Sequence, residues 1–396
     1  MAEITATNGE LLYGKVLTPN GLIPQGVLAI SGERILYAGE AHDLPTAYAN
    51  WEASHHDNEL LLPGFVDVHV HGGAGYDFMY SDEASIDAIT KFHSTQGTTT
   101  MLATTMTAAK ADIDRVLEEV HAYRSKEMPY AQLAGVHLEG PFISHKWMGA
   151  QNPEHIAPAN IDWLEDWEHA YPGMIRQVTL APEREGALEA IRWLRKHEIT
   201  AALGHTDATY EEVIAAADAG LNHAVHTFNA MTPLHHRKPG TVGAVLSDAR
   251  IRGEIIADGI HVHPAMVTLL SRLKNDGNLL LITDAMSATG LSDGEYKIGD
   301  LPVIVKDGIA TLRDNPAALA GSTLTMIRGF QFLIQQAGMS LEEASRAASL
   351  TPAVSLGLEQ RIGSLEAGKQ ADILLLDDKL QLQEVWIRGR KQQRQS

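Results

Sequence analysis

Eight short apolar runs, most of them followed by a segment of helical period, fill the middle of this chain and constrain its fold more than any other feature. They lie at Phe65–His71, Thr99–Thr104, Gln132–Glu139, Gln177–Ala181, Ile199–Gly204, His223–Thr227, Glu254–Asp258 and Leu279–Asp284. Between them, Glu83–Gln96, Ala109–Arg124, Leu188–His197 and Tyr210–Ala219 place apolar residues three and four apart, as amphipathic helices do. Strands alternating with helices build a parallel sheet with the helices outside it. Eight such units favour closure over an open, doubly wound sheet. No Gly-x-Gly-x-x-Gly follows the first strand to mark a dinucleotide fold. The expected class is α/β, with a (β/α)8 TIM-type barrel.

The two ends read differently. Leu11–Leu17, Gly26–Ser31 and Arg34–Ala38 near one terminus, and Asp372–Leu376 and Glu384–Ile387 near the other, are β-rich runs beside turns. They are expected to join in a small β-sandwich domain built from both termini, residues 1–61 plus 353–396, with the barrel over 62–352. After the eighth strand, Ser287–Asn315 reads as an irregular insert, followed by helices at Leu324–Gln336 and Leu341–Ser349.

Composition enters where it excludes. The 396 residues include no cysteine, which removes disulfides, thiolate metal sites and thiol nucleophiles. Any metal must therefore be held by His, Asp or Glu. Lys and Arg number 31 against 50 Asp and Glu, a net charge of −19, which disfavours a nucleic-acid partner. No apolar run reaches the ~18 residues of a membrane span. Met1-Ala2-Glu3-Ile4-Thr5 has neither the basic nor the apolar region of a secretory signal. A cytoplasmic protein with no membrane partner is expected.

In barrels of this kind the chemistry sits at the C-terminal ends of the strands. Here those ends carry Asp67-Val68-His69-Val70-His71, His137-Leu138-Glu139, Gly204-His205-Thr206-Asp207, His226, Asp258-Gly259-Ile260-His261 and Thr283-Asp284. His69 and His71 alternate along a strand and so face the same side. A single His at a strand end is ordinarily structural; imidazoles and carboxylates at most of the ends of one barrel are hard to explain by packing. Such a set suits a borderline divalent ion, Zn2+ or Fe2+. An ion of this kind lowers the pKa of bound water to about 7 and polarises a carbonyl. A nearby carboxylate can carry the proton. The predicted chemistry is hydrolysis of an amide, ester or amidine-like bond.

Two stretches resemble signatures of the amidohydrolase superfamily. They are Pro63-Gly64-Phe65-Val66-Asp67-Val68-His69-Val70-His71-Gly72 and Gly363-Ser364-Leu365-Glu366-Ala367-Gly368-Lys369-Gln370-Ala371-Asp372-Ile373. Four more resemble its N-acetylglucosamine-6-phosphate deacetylase family: His137-Leu138-Glu139-Gly140-Pro141-Phe142, Leu203-Gly204-His205-Thr206, His226-Thr227-Phe228-Asn229-Ala230-Met231 and Ala320-Gly321-Ser322-Thr323-Leu324-Thr325-Met326. The resemblance implies a divalent metal on Glu139, His205 and His226. It implies a second on His69 and His71, bridged by Glu139, so one or two ions per subunit. Asp284 would be general base and then general acid. Gln151, Asn229, Ala230, Arg237 and His261 would bind a small amino-sugar phosphate. A homodimer is implied, with Arg237 reaching the neighbouring subunit's site.

One departure stands out. Some family members carry a His before the Asn-Pro pair where this chain has Gln151. Two other classes of reading remain beside this one. The first is another amidohydrolase activity: a D-amino acid deacylase, a dihydroorotase-like cyclic amidase or an adenine deaminase. The second is an inactive sugar-phosphate-binding scaffold. His137 is expected behind Glu139, orienting it or a water, and His223 reads as structural. His42, His93, His121, His155, His169 and His197 read as solvated.

Overall fold

The eight apolar runs pair in parallel in the order in which they occur. Phe65–Asp67 lies beside Thr98–Thr104, followed by Gln132–Glu139, Ile175–Leu180, Thr200–Leu203, His223–Ala224, Arg252–Ile256 and Leu279–Ile282. In this computed structural model, which describes residues 8–274 and 277–393, the ring closes just beyond the formal strands. Val70 bridges Ala285, His71 N donates to Ala285 O, and Asp284 N donates to His69 O. Thr283 Oγ1 adds a 2.6 Å bond to the buried Asp67 carboxylate. Closure thus sets His69 and His71 beside Asp284. The Met1–Thr5 stretch lies outside the described residues. Among those residues, no helix is long and apolar enough to cross a membrane.

The helices form where the spacing places them, for physical reasons visible at their ends. Glu83–Ser94 starts at Asp82, whose carboxylate accepts from Ser85 N. Tyr210–Ala219 starts with a reciprocal Thr209/Glu212 capping box and stops at Gly220 in a left-handed conformation.

The termini do join in one small β domain. Its seven strands form a continuous mixed sheet, in which Glu10–Thr18 runs parallel to Glu52–Pro63 and the other pairs are antiparallel. Leu12, Leu28 and Ile35 from one half meet Ile373, Leu375 and Trp386 from the other in a single apolar cluster. The sheet therefore folds over itself, sandwich-fashion. A second face, with Leu62, Leu374 and Leu376, packs against the barrel's Phe65 and Phe330.

The insert after the eighth strand is not irregular. Gly294–Ile298, Leu301–Lys306, Ile309–Leu312 and Asn315–Leu319 make a four-stranded antiparallel meander. Two-residue turns drive it: Gly299-Asp300 and Asp307-Gly308, with Gly299, Asp307 and Gly308 all at positive φ (51°, 53° and 74°). Turns of that hand match the twist of the flanking strands. Ile298, Val303, Val305 and Ala310 pack onto the barrel's core, and the meander stands beside the barrel mouth.

Candidate metal centre and its cleft

Glu139, the last residue of the third barrel strand, is the hub of the mouth. Its Oε1 lies 3.1 Å from His226 Nε2, 3.2 Å from His205 Nε2 and 3.3 Å from His69 Nε2. Its Oε2 lies 3.3 Å from His71 Nε2. His71 Nε2 in turn is 3.2 Å from Asp284 Oδ1, and His69 Nε2 is 3.7 Å from the same oxygen. All six residues expected to hold metal or move the proton therefore meet in one place.

The local backbone is bent to make this possible. His205, His226 and Asp284 have φ of 47°, 29° and 53°. Left-handed conformation in non-glycine residues costs about 1–3 kcal/mol each and persists where the surroundings enforce it. The same turn explains why the sixth strand pairs over His223–Ala224 only, and not through Thr227 as its apolar run suggests. The chain leaves the ladder in order to swing His226 inward.

The residues fit a divalent ion. His205 Nε2 and His226 Nε2 sit 3.2 Å apart, and both face the same carboxylate oxygen. With metal–nitrogen bonds of ~2.0–2.1 Å, tetrahedral geometry spaces ligand atoms about 3.3 Å apart. His69 Nε2 is buried without a hydrogen-bond partner. The opposite ring nitrogens are anchored: His205 Nδ1 donates to Trp147 O at 3.0 Å, and His69 Nδ1 lies 2.9 Å from Glu254 Oε2. A carbonyl only accepts, so His205 carries its proton on Nδ1 and turns a lone pair into the mouth. Glu139/His205/His226 and His69/His71/Asp284 are the two groups among the described residues whose ligand atoms lie close enough together to hold a metal ion.

The electrostatics keep the carboxylates ionised. Burial pushes the Glu139 carboxyl up, but the charge of His69, with the His205 and His226 rings against Oε1, holds it well below the usual range. Burial likewise opposes, and His69 and His71 outweigh, in lowering Asp284. The Asp284 side chain is 12% exposed, against 0–7% for its five neighbours, so it faces the cleft most openly.

Glu254 escaped the sequence reading. It is completely buried and binds His69 Nδ1, His223 Nε2 and Gln177 Nε2 at 2.9–3.0 Å. A charged residue heading the apolar run Glu254–Asp258 was the available signal. His223 is structural as expected, and its task is to hold Glu254. His137 does not reach Glu139: its Nε2 bonds Thr179 Oγ1 at 2.8 Å, and its ring packs edge-on to His69. Burial, then the charge on His69, drives its pKa well down, so it braces His69 as a neutral ring. His93 is not solvated. It lies on the buried face of its helix with Ile86, Ile89 and Thr90, and its Nε2 bonds Gly72 O at 2.9 Å.

A cleft of about 410 Å3 opens above the cluster. Gln151, Asn229, Ala230 and His261 line it, as does Ala317–Leu319 of the meander. Gln151 is fixed at both ends: Nε2 donates to Glu139 Oε2 at 2.6 Å and Oε1 accepts from Thr107 N at 2.7 Å. Burial lowers the His261 pKa, but Asp258, 2.7 Å away, overcomes this and raises it. Arg237 is apart from the rest. Its exposed guanidinium contacts His236 and does not line the cleft of its own chain. Lys146 and Trp147 also line the cleft, both bonded to Asp207, and neither was singled out from the sequence.

Known proteins sharpen this picture. The amidohydrolase family matches residues 60–391. The N-acetylglucosamine-6-phosphate deacetylase of Vibrio furnissii is 40% identical over 330 residues, 83% of this chain and 82% of the relative. The N-acetylgalactosamine-6-phosphate deacetylase of Escherichia coli O157:H7 is 40% identical over 333 residues, 84% and 88% of the two chains. A mutant N-acetyl-D-glucosamine-6-phosphate deacetylase from Mycobacterium smegmatis, solved in complex with N-acetyl-D-glucosamine-6-phosphate, superposes with a TM-score of 0.90 at 35% identity. That match covers 97% of this chain and 99% of the other. The Thermotoga maritima N-acetylglucosamine-6-phosphate deacetylase matches with a TM-score of 0.85 at 32% identity, over 96% and 99%. In sequence and in fold, the chain belongs to the amidohydrolase family.

Proposed function

We propose that this chain hydrolyses the acetamide of N-acetyl-D-glucosamine 6-phosphate to D-glucosamine 6-phosphate and acetate. The observation that carries the reading is the Asp284 carboxylate, facing the cleft beside a Glu139 shared by four imidazoles. Relatives that act on acetylated hexosamine phosphates supply the substrate class. Glu139, His205 and His226 would hold one divalent ion, zinc or iron, and His69 and His71 a second. When bound, the ion supplies Lewis acidity to the acetamide carbonyl and lowers the pKa of water at the site.

The chain's own residues do the rest. Asp284 accepts a proton from the attacking water and returns it to the departing amine, so one carboxylate serves as base and then acid. Gln151 holds Glu139 in register. His261, its proton favoured by Asp258, and the Asn229–Ala230 turn offer donors to the sugar phosphate. Arg237 completes phosphate binding from the neighbouring subunit of a cytoplasmic homodimer, and its guanidinium can grip phosphate oxygens two at a time. Residues 1–61 plus 353–396 form the β domain in this proposal, and 62–352 the catalytic barrel.

Acetate release tests the reading, measured on N-acetylglucosamine 6-phosphate, its galactosamine epimer and unphosphorylated N-acetylglucosamine. Charge-assisted hydrogen bonds contribute about 1.5–3 kcal/mol each. Loss of the phosphate should therefore lower kcat/KM by at least ~100-fold. Equal turnover with and without the phosphate, or no acetate from either phosphate, refutes it. Faster turnover of the galactosamine epimer reassigns the sugar.

A further inference from the structure

At the opposite end of the barrel from the cleft, between its floor and the β domain, lies a second cavity of about 240 Å3. Arg34 and Arg388 of the β domain, Arg124 and Arg176 of the barrel, and Arg361 of the segment joining them all line it. Glu33 is the single carboxylate in the lining, and it is paired with Arg388. Among the described residues the other four arginines have no carboxylate partner within ion-pair distance. Their side-chain bonds are few: Arg34 to Gly368 O at 2.9 Å, Arg124 to Met174 Sδ at 3.2 Å and Arg176 to Ala134 O at 3.4 Å.

A chain of net charge −19 has carboxylates to spare. Leaving guanidinium groups unpaired around one hollow costs free energy by mutual repulsion and partial desolvation. Burial, then the charges of Arg176 and Arg361, depresses the Arg124 pKa, which is the mark of that crowding. A ligand that brings negative charge and several acceptor oxygens into the hollow would offset the cost. Guanidinium forks match phosphate oxygens in pairs. The volume is below the ~300–1,000 Å3 of pockets for drug-sized ligands, which suits a small anion and not a nucleotide.

We infer that this floor cavity is a binding site for a small phosphoryl anion, distinct from the catalytic cleft, that ties the β domain to the barrel. Its lining comes from three parts of the chain. Occupancy would therefore stabilise the junction between them by mass action, in proportion to the logarithm of ligand concentration. The inference stands on the floor's own residues and does not depend on the reaction assigned to the mouth.

The test uses the full chain at fixed ionic strength, titrated calorimetrically with inorganic phosphate and, separately, with glucosamine 6-phosphate. Wild type should bind phosphate saturably, with a matching rise in Tm that equal ionic strength of chloride does not produce. Arg361→Gln, at an exposed position, and Arg176→Gln should each weaken that event at least tenfold. Tighter binding of the sugar phosphate, lost in the same variants, supports an organic phosphate as occupant; equal binding supports the inorganic ion. Identical phosphate isotherms for wild type and both variants, or a Tm shift reproduced by chloride, would overturn the inference. Should Arg176→Gln fail to fold, Arg361→Gln decides alone.

Discussion

The two triads at the barrel mouth share a wall but not a purpose. Glu139, His205 and His226 hold three ligand atoms 3.1–3.2 Å apart, and His205 is anchored from behind by Trp147 O. His69, His71 and Asp284 are wider, at 3.2 and 3.7 Å, and their carboxylate is the one that reaches the cleft. In the proposed mechanism the first group only binds. In the second, Asp284 can serve as a proton carrier only if its carboxylate is left free to change state. The difference teaches that, under the proposed assignment, compactness goes with the permanent metal position and openness with the acid–base position.

The sharpest way to break this division is Asp284→Asn. General acid–base catalysis contributes about 10²–10⁴-fold, so kcat should fall by roughly 10³-fold or more while the metal on the first triad stays. Retention of turnover would dissolve the distinction. His71→Asn should cost less, on the order of 10²-fold in kcat/KM, because it leaves the first triad whole. Steady-state kinetics at saturating metal would measure it.

Glu254→Gln is milder. It keeps the shape but weakens the anchor on His69, and outer partners of this type contribute about 10–100-fold in metal affinity. A competitive chelator titration would read the change, and it should appear in the weaker of two binding events.

The smallest effect lies behind the second triad. Burial drives the His93 pKa down to about 4, below an unfolded value of about 6.5. Its contribution to stability is therefore complete above about pH 6.5 and is lost as pH falls toward 4, at about 1 kcal/mol per pH unit. Urea denaturation at pH 7.5, 6 and 5 should show that slope in wild type and a flatter one in His93→Gln.

Much of this was legible in the sequence because barrels display their chemistry at fixed points. Once eight strands are counted, polar residues at their ends become candidates, and Glu139, His205, His226, His69, His71 and Asp284 do meet. What was hidden depended on depth. Glu254 is polar inside a strand, where hydropathy suggests only a weak strand, and its partners lie 31 to 185 residues away. His93 sits at the seventh position after Ile86, a buried helical spacing that its polarity disguised. The meander hid because Glu295 and Lys297 alternate with half-buried residues, although Gly299-Asp300 and Asp307-Gly308 announced its turns. The floor arginines come from segments spread from Arg34 to Arg388, and no local pattern joins them.

Metal content decides the central claim. Purified wild-type chain, Glu139→Gln and His71→Asn should be compared by elemental analysis after identical dialysis. At least one divalent ion is expected per wild-type chain, one retained in His71→Asn, and none in Glu139→Gln. A Glu139→Gln chain that keeps the full wild-type complement would contradict it.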